Sequence, residues 1–342
     1  MIVQIIILYF ICAIGSFFEK GEVSKTNVVY YLICFLLILF TAFRDGESVT
    51  DYSAYEILYD SDSNFIEPTF IFIRYIVKQF LGNYITILFF IYAVVAILLK
   101  FIAIRQLSPF IYISLIIFIG DLFLQQDFTQ IRAAVATSLL LFCIKPLYER
   151  NFLQFILYTI IATLFHVSSI MVLFLWFLNP KTINVWRYII IIIIGYVMAI
   201  LKIDILGFLD YVPIEYVQKK FSMYRTAQEF GNYEANIFSV LHLTKLCIYL
   251  FLLHNVNILL EKNKYSIILL KIMCISLCGL IFFSQNMAAG IRVTELFGIV
   301  NIILFPLLIY LIKPVFLTKI ILITIFFCVL CMRIFYTNLI IH

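Results

Sequence analysis

Unbroken apolar runs such as residues 188–201, YIIIIIIGYVMAIL, constrain this chain more than any other feature. A bilayer's hydrocarbon core takes roughly 20 mainly apolar residues per helical crossing. Inside lipid the backbone must satisfy its own hydrogen bonds, which leaves helices or a closed barrel. Barrel strands alternate apolar and polar residues, and these runs do not. The whole chain is 65% hydrophobic and 13% charged, with mean hydropathy +1.11. The expectation is an all-α polytopic integral membrane protein forming one domain over residues 1–342. The first run, 2–18, has neither a basic flank before it nor a small-residue cleavage site, so it reads as a retained span.

The net charge of +5 comes from cations scattered in pairs through short loops, which argues against nucleic acid as a partner. All eight Cys fall in apolar runs and read as small packing residues. Cys328 and Cys331 form a CxxC, but no His or second pair stands nearby to complete a metal site.

Apolar runs bounded by polar breaks predict about twelve spans of bilayer length. They lie near 2–18, 27–43, 84–104, 109–124, 128–144, 151–164, 166–178, 187–203, 236–258, 265–284, 288–312 and 315–337. The sixth and seventh are short and meet at His166, either as two helices at a bend or as one broken helix. Lys and Arg mark cytoplasmic loops. Alternate loops carry Lys20 with Lys25, Lys100 with Arg105, Lys145 with Arg150, Lys181 with Arg187, Lys262 with Lys264, and Lys313 with Lys319. These loops therefore face the cytoplasm. Of the 19 acids, all but Glu19, Glu22, Glu149 and Glu261 lie elsewhere, so any chemistry faces outward.

The outer face is expected to hold segments 44–83 and 204–236, the GDLFLQQDFTQIR turn, the His166 bend and the SQNMAAGIR turn. Within 44–83, EPTFIFIRYIVKQF reads as an interfacial helix. Its apolar residues form one face, and Arg74 and Lys78 share another.

Ionisable residues at membrane depth are functional candidates. Arg132 lies about one turn into a small-residue helix, where snorkelling to the interface is the ordinary alternative. Gln130 precedes it on a different side. Arg292 stands three residues before Glu295, so an ion pair within the helix competes with a binding role. Arg44 ends the second span, where membrane anchoring explains it. His166, beside Ser168 and Ser169, is either a hydrogen-bonded structural residue or a base. Lys245 and Lys271 are deep in their spans; pairing with acids and snorkelling are both open. Thr50 and Asp51 read as the cap of a helix starting at Tyr52, and Glu67 precedes Pro68 in a first-turn position. Capping does not explain why these acids gather with Tyr52, Tyr55 and Tyr59.

In order along the chain, FRDGESVTDYSAY, EPTF, QIRAAVATSLLLFCI, ATLFHVSSIM and GIRVTELFGIV resemble the EpsG family of Wzy-type polysaccharide polymerases. The family's R…GTD…Y pattern falls on Arg44, Thr50, Asp51 and Tyr55. Its EP falls on Glu67 and Pro68, its helix-start Arg on Arg132, its FH on His166 and its late Arg on Arg292. Ser48 and Val49 stand where a glycine is expected, and Ala133 where a polar residue is common.

The resemblance implies a GT-C-like fold and a metal-independent glycosyltransferase of the bacterial inner membrane, active on the periplasmic face. Its substrate would be an undecaprenyl-diphosphate-linked oligosaccharide, polymerised into O-antigen or another surface polysaccharide. A chain-length regulator protein is an expected partner, and no cofactor is expected. Arg132, Arg292 and Arg44 would hold the diphosphate, since developing charge on that leaving group calls for guanidinium. Asp51, Glu67 and His166 would be the catalytic candidates, and Tyr55 and Gln130 would contact the glycan.

A secondary transporter or a lipid-linked oligosaccharide flippase is the alternative. Transporters commonly show related halves with broken helices at the midplane, and no such repeat is evident here. A glycan acyltransferase would want an acid beside His166 in sequence, and none stands there.

Overall fold

In the computed structural model the described residues are 1–19, 21, 28–46, 49, 51–61, 66–207, 236–337 and 339. Lys20, Lys25, Thr50 and most of the predicted outer segment 204–236 lie outside them. The regular elements are all helices. Helices α1 (Ile2–Phe18) and α2 (Val28–Ala42) precede two short ones, α3 (Tyr52–Asp60) and α4 (Pro68–Phe80). Then come α5 (Ile85–Leu107), α6 (Ile111–Thr129), α7 (Ile131–Glu149) and α8 (Phe152–Phe165). A 3₁₀ run, Val167–Phe177, leads to α9 (Val185–Ile200), α10 (Val240–His254), α11 (Val256–Lys262) and α12 (Ser266–Phe282). The chain closes with α13 (Met287–Leu311) and α14 (Val315–Phe335).

Five described helices are long and apolar enough to cross a bilayer, or six if α10 and α11, bent by 80°, form one span. Six more apolar helical elements have 10–17 residues. The chain is thus a multi-pass helical membrane protein. The twelve apolar runs read from the sequence overlap these elements, of which five or six have the length and apolarity of a span.

At His166 the structure shows two short rods and a joint. Helix α8 ends at Phe165, His166 is extended (φ −153°, ψ 113°), and the 3₁₀ run follows. The 14 residues of α8 span about 21 Å. The tighter 3₁₀ winding lets 11 residues reach about 22 Å. The two rods match in length and pack on each other.

Helix α6 sits at the centre, 94% buried across its apolar window. Its second half, Phe118–Thr129, is a π-helix. The predicted GDLFLQQDFTQIR turn is therefore helix up to Thr129, and its polar side chains face other helices. Asp121 pairs with Lys245 at 2.5 Å and Arg333 at 3.2 Å. Gln126 accepts from Thr137 at 3.0 Å and donates to the Glu295 carbonyl at 2.9 Å. Asp127 pairs with Lys100 at 2.9 Å, both side chains fully buried. These groups find partners inside the bundle, which is why polarity alone misplaced them at the surface.

Lys100 corrects a second expectation. It is a buried bundle residue that also donates to the Ala134 carbonyl at 2.9 Å, and so it is no loop cation. Lys245 pairs inward, as one of its two readings had it. Lys271 instead donates to the Asn179 carbonyl at 2.6 Å.

The amphipathic helix α4 forms as predicted, with Pro68 in its first turn. Its buried face is Phe70, Arg74 and Val77, while Phe72, Tyr75 and Phe80 are exposed. Arg74 thus parts from Lys78. It reaches under α3 to the Leu58 carbonyl at 2.9 Å and to that of Ser61, because those carbonyls end α3 without helical partners.

Candidate functional site

The site is built from helix ends. Asp51 precedes α3 and Glu67 precedes α4. Gln130 and Arg132 open α7, His166 is the α8 joint, and Arg292 lies in the second turn of α13. Asp51, Tyr55, Gln130, Arg132, His166 and Arg292 line one cavity of about 300 Å³. Ala133 and Ala288 line it too, small side chains at the starts of α7 and α13. Two helix N-termini therefore face this space, and their partial positive charge favours an anion.

Both predicted caps hold their positions, but neither side chain caps. Asp51 and Glu67 are N-cap residues with no side-chain bond to their helix. The Asp51 carboxylate is left to the cavity. Glu67 forks: one oxygen accepts from Arg132 Nη1, and the other stands 3.4 Å from His166 Nδ1, at the long edge of hydrogen-bonding range. Arg132 also lies over aromatic faces, its guanidinium carbon 5.7 Å from the Tyr55 ring centre and 5.8 Å from that of Phe70. It is thereby fixed on three sides while keeping 24% side-chain exposure at the cavity.

The two carboxylates are driven apart electrostatically. Burial pushes both upward, and it is the largest single influence on each. For Glu67 the His166 hydrogen bond and the Arg132 charge together outweigh burial and hold the carboxyl down at about 2. For Asp51 burial prevails over the more distant Arg132, and the carboxyl is raised above its ordinary value. Burial likewise raises the Tyr55 hydroxyl.

Arg44 is placed elsewhere. It is 6% exposed and does not line the cavity. Its guanidinium donates to the carbonyls of Thr41 at 2.8 Å, Phe128, and Asp127 at 3.5 Å. It also stacks 4.3 Å from the Phe89 ring centre. Arg44 thus pins the end of α6 to the end of α2.

Glu295 was seen in the sequence only as a partner for Arg292. No ion pair joins them among the described residues; Glu295 takes a hydrogen bond from Gln125 and one from Gln130. Gln125 lies 170 positions away in the chain, so local spacing carried no signal of this contact. Thr137 also lines the cavity and was not anticipated. Among the described residues no three His, Cys, Asp or Glu side chains gather as a metal site.

This arrangement defines a class: a polytopic helical membrane protein whose polar cavity gathers arginines and carboxylates at converging helix ends. The EpsG family model matches residues 27–341, nearly the whole chain, and the chain belongs to that family. That makes it a membrane protein of polysaccharide synthesis. Comparison with curated proteins and with solved structures gave no match.

Proposed function

We propose that this protein polymerises undecaprenyl-diphosphate-linked oligosaccharide repeat units into O-antigen or another surface polysaccharide. The reading places the chain in the bacterial inner membrane with about twelve crossings, and the cavity at the periplasmic face. Membership of the EpsG family supports it. The observation that carries it is the single cavity shared by Arg132, Arg292, Asp51 and His166 at two helix N-termini.

In the reaction an acceptor sugar hydroxyl attacks the anomeric carbon of the donor glycan. The bond from that carbon to the diphosphate oxygen breaks, and the lipid diphosphate leaves with the electron pair. Arg132 and Arg292 stabilise the developing charge, joined by the α7 and α13 N-termini. In this reading guanidinium, rather than a metal ion, supplies the neutralising charge.

Asp51 receives the hydroxyl proton. Its raised pKa makes it a better base than Glu67, which the Arg132 charge and the His166 hydrogen bond hold ionised and which serves as a positioning residue for both. His166 orients the acceptor, and Tyr55 and Gln130 supply glycan contacts along the wall. Arg44 supports the site from behind by fixing α6 to α2.

The test uses purified protein in liposomes with a lipid-linked repeat unit. A ladder of repeat lengths is expected. Translocation of single units without polymer would assign the flippase alternative instead.

A further inference from the structure

We infer that a second site, at the opposite ends of α5 and α7 from the polar cavity, binds the headgroup of an anionic phospholipid. A larger cavity, of about 650 Å³, opens there. Arg105 in the last turn of α5, Lys145 near the end of α7 and Lys264 before α12 all line it. None of the three forms an ion pair among the described residues, although Glu149 shares the lining. Arg105 donates to the Tyr31 hydroxyl at 2.9 Å, and Lys264 stands 5.0 Å from the Tyr265 ring centre.

Loop cations that only set orientation need no common target. These come from three separate elements and converge on one concave space, with net positive charge after Glu149 is counted. Basic pockets between membrane helices suit phosphate-bearing headgroups.

The same cavity says where the phosphate comes from. Leu98 and Ile102 line it and are 42% and 44% exposed, so its apolar wall continues onto the outer surface of α5. A free phosphate would gain nothing from that wall. A lipid would lay an acyl chain along it while its headgroup met the cations. Tyr31, exposed at the rim, adds an aromatic edge with a polar tip.

The test strips the full-length protein of lipid by detergent exchange and follows rebinding by native mass spectrometry. The probes are phosphatidylglycerol, phosphatidylcholine and inorganic phosphate. Phosphatidylglycerol is expected to bind and phosphatidylcholine not. The triple variant R105Q/K145Q/K264Q should bind phosphatidylglycerol on the order of 100-fold more weakly. Ile102→Trp, which fills the apolar wall without touching a charge, should also weaken it. Lys181→Gln, outside the cavity, should not. Should the triple variant fail to fold, Lys145→Gln alone and Ile102→Trp carry the test. Equal binding of phosphatidylcholine, or unchanged binding by the variants, would overturn the proposal. Displacement of the lipid by equimolar inorganic phosphate would also overturn it, as a free-anion site. Retained polymer synthesis in these variants keeps this outcome separate from the fate of the polar cavity.

Discussion

One carboxylate, Glu67, holds both Arg132 and His166, although the three come from separate elements of the chain. Replacing it with Gln keeps the shape and removes the charge. Loss of a hydrogen bond to a charged group costs about 1.5–3 kcal/mol. Polymer synthesis by Glu67→Gln should therefore fall roughly 10- to 100-fold, with membrane levels of the protein unchanged. The Glu67 pKa lies below its ordinary 4.5, at about 2. Its stabilisation is complete above pH 4.5 and is lost as pH falls toward 2. Thermal unfolding in detergent should show the wild type ahead of Glu67→Gln at pH 7, with the two converging in acid.

Asp51 occupies a cap position without capping. A true cap removed by mutation costs about 0.5–2 kcal/mol. Asp51→Ala, which removes both the carboxylate and any capping oxygen, should abolish polymer and leave the unfolding temperature nearly unchanged. A large drop in stability with activity retained would return Asp51 to a capping role. Its pKa is raised from 3.8, so activity needs a pH above that raised value. The acid limb of the polymerisation profile should have its midpoint above 3.8, read by gel ladders across pH.

Arg132→Ala and Arg292→Ala should each abolish polymer while expression persists. Arg132→Lys keeps charge but loses the planar fork, and partial activity is expected. Normal ladders from both Ala variants would remove the diphosphate-binding role. With arginine supplying the charge as proposed, wild-type ladders are expected to survive EDTA.

Lys100 and Asp127 form a fully buried pair. Lys100→Met leaves Asp127 without its cation and should destabilise the protein by about 3–5 kcal/mol. Changing Asp127→Leu as well should restore most of that. Chemical denaturation of the single and double variants in detergent reads the difference.

The parts of this protein visible in its sequence are those set by local pattern. Apolar runs marked the helices, and Pro68 and Asp51 marked two helix starts. Of the eight candidate site residues legible in the sequence, Asp51, Tyr55, Gln130, Arg132, His166 and Arg292 line one cavity, and Arg44 and Glu67 do not. The rest depended on contacts between distant positions. Lys100 looked like a loop cation because charge is normally expelled to loops, and only the fold reveals Asp127 beside it. Arg44 shared the family pattern with Asp51, yet the carbonyls of Asp127 and Phe128 consume its donors. Which way the Asp51 and Glu67 side chains turn is likewise a tertiary fact. Sequence offered each a helix to cap, and the structure gives Glu67 the Arg132 guanidinium and the His166 imidazole as partners instead.

The wide winding of Phe118–Thr129 makes α6 a timing element for the whole bundle. From this winding Asp121 meets Lys245 and Arg333, and Asp127 meets Lys100. Along an ordinary helix, removing one residue rotates everything beyond it by roughly 100°. A single deletion between Asp121 and Asp127 would therefore swing one acid away from its cations whichever end stayed fixed. The segment ties two charge clusters on different helices to a single count of residues.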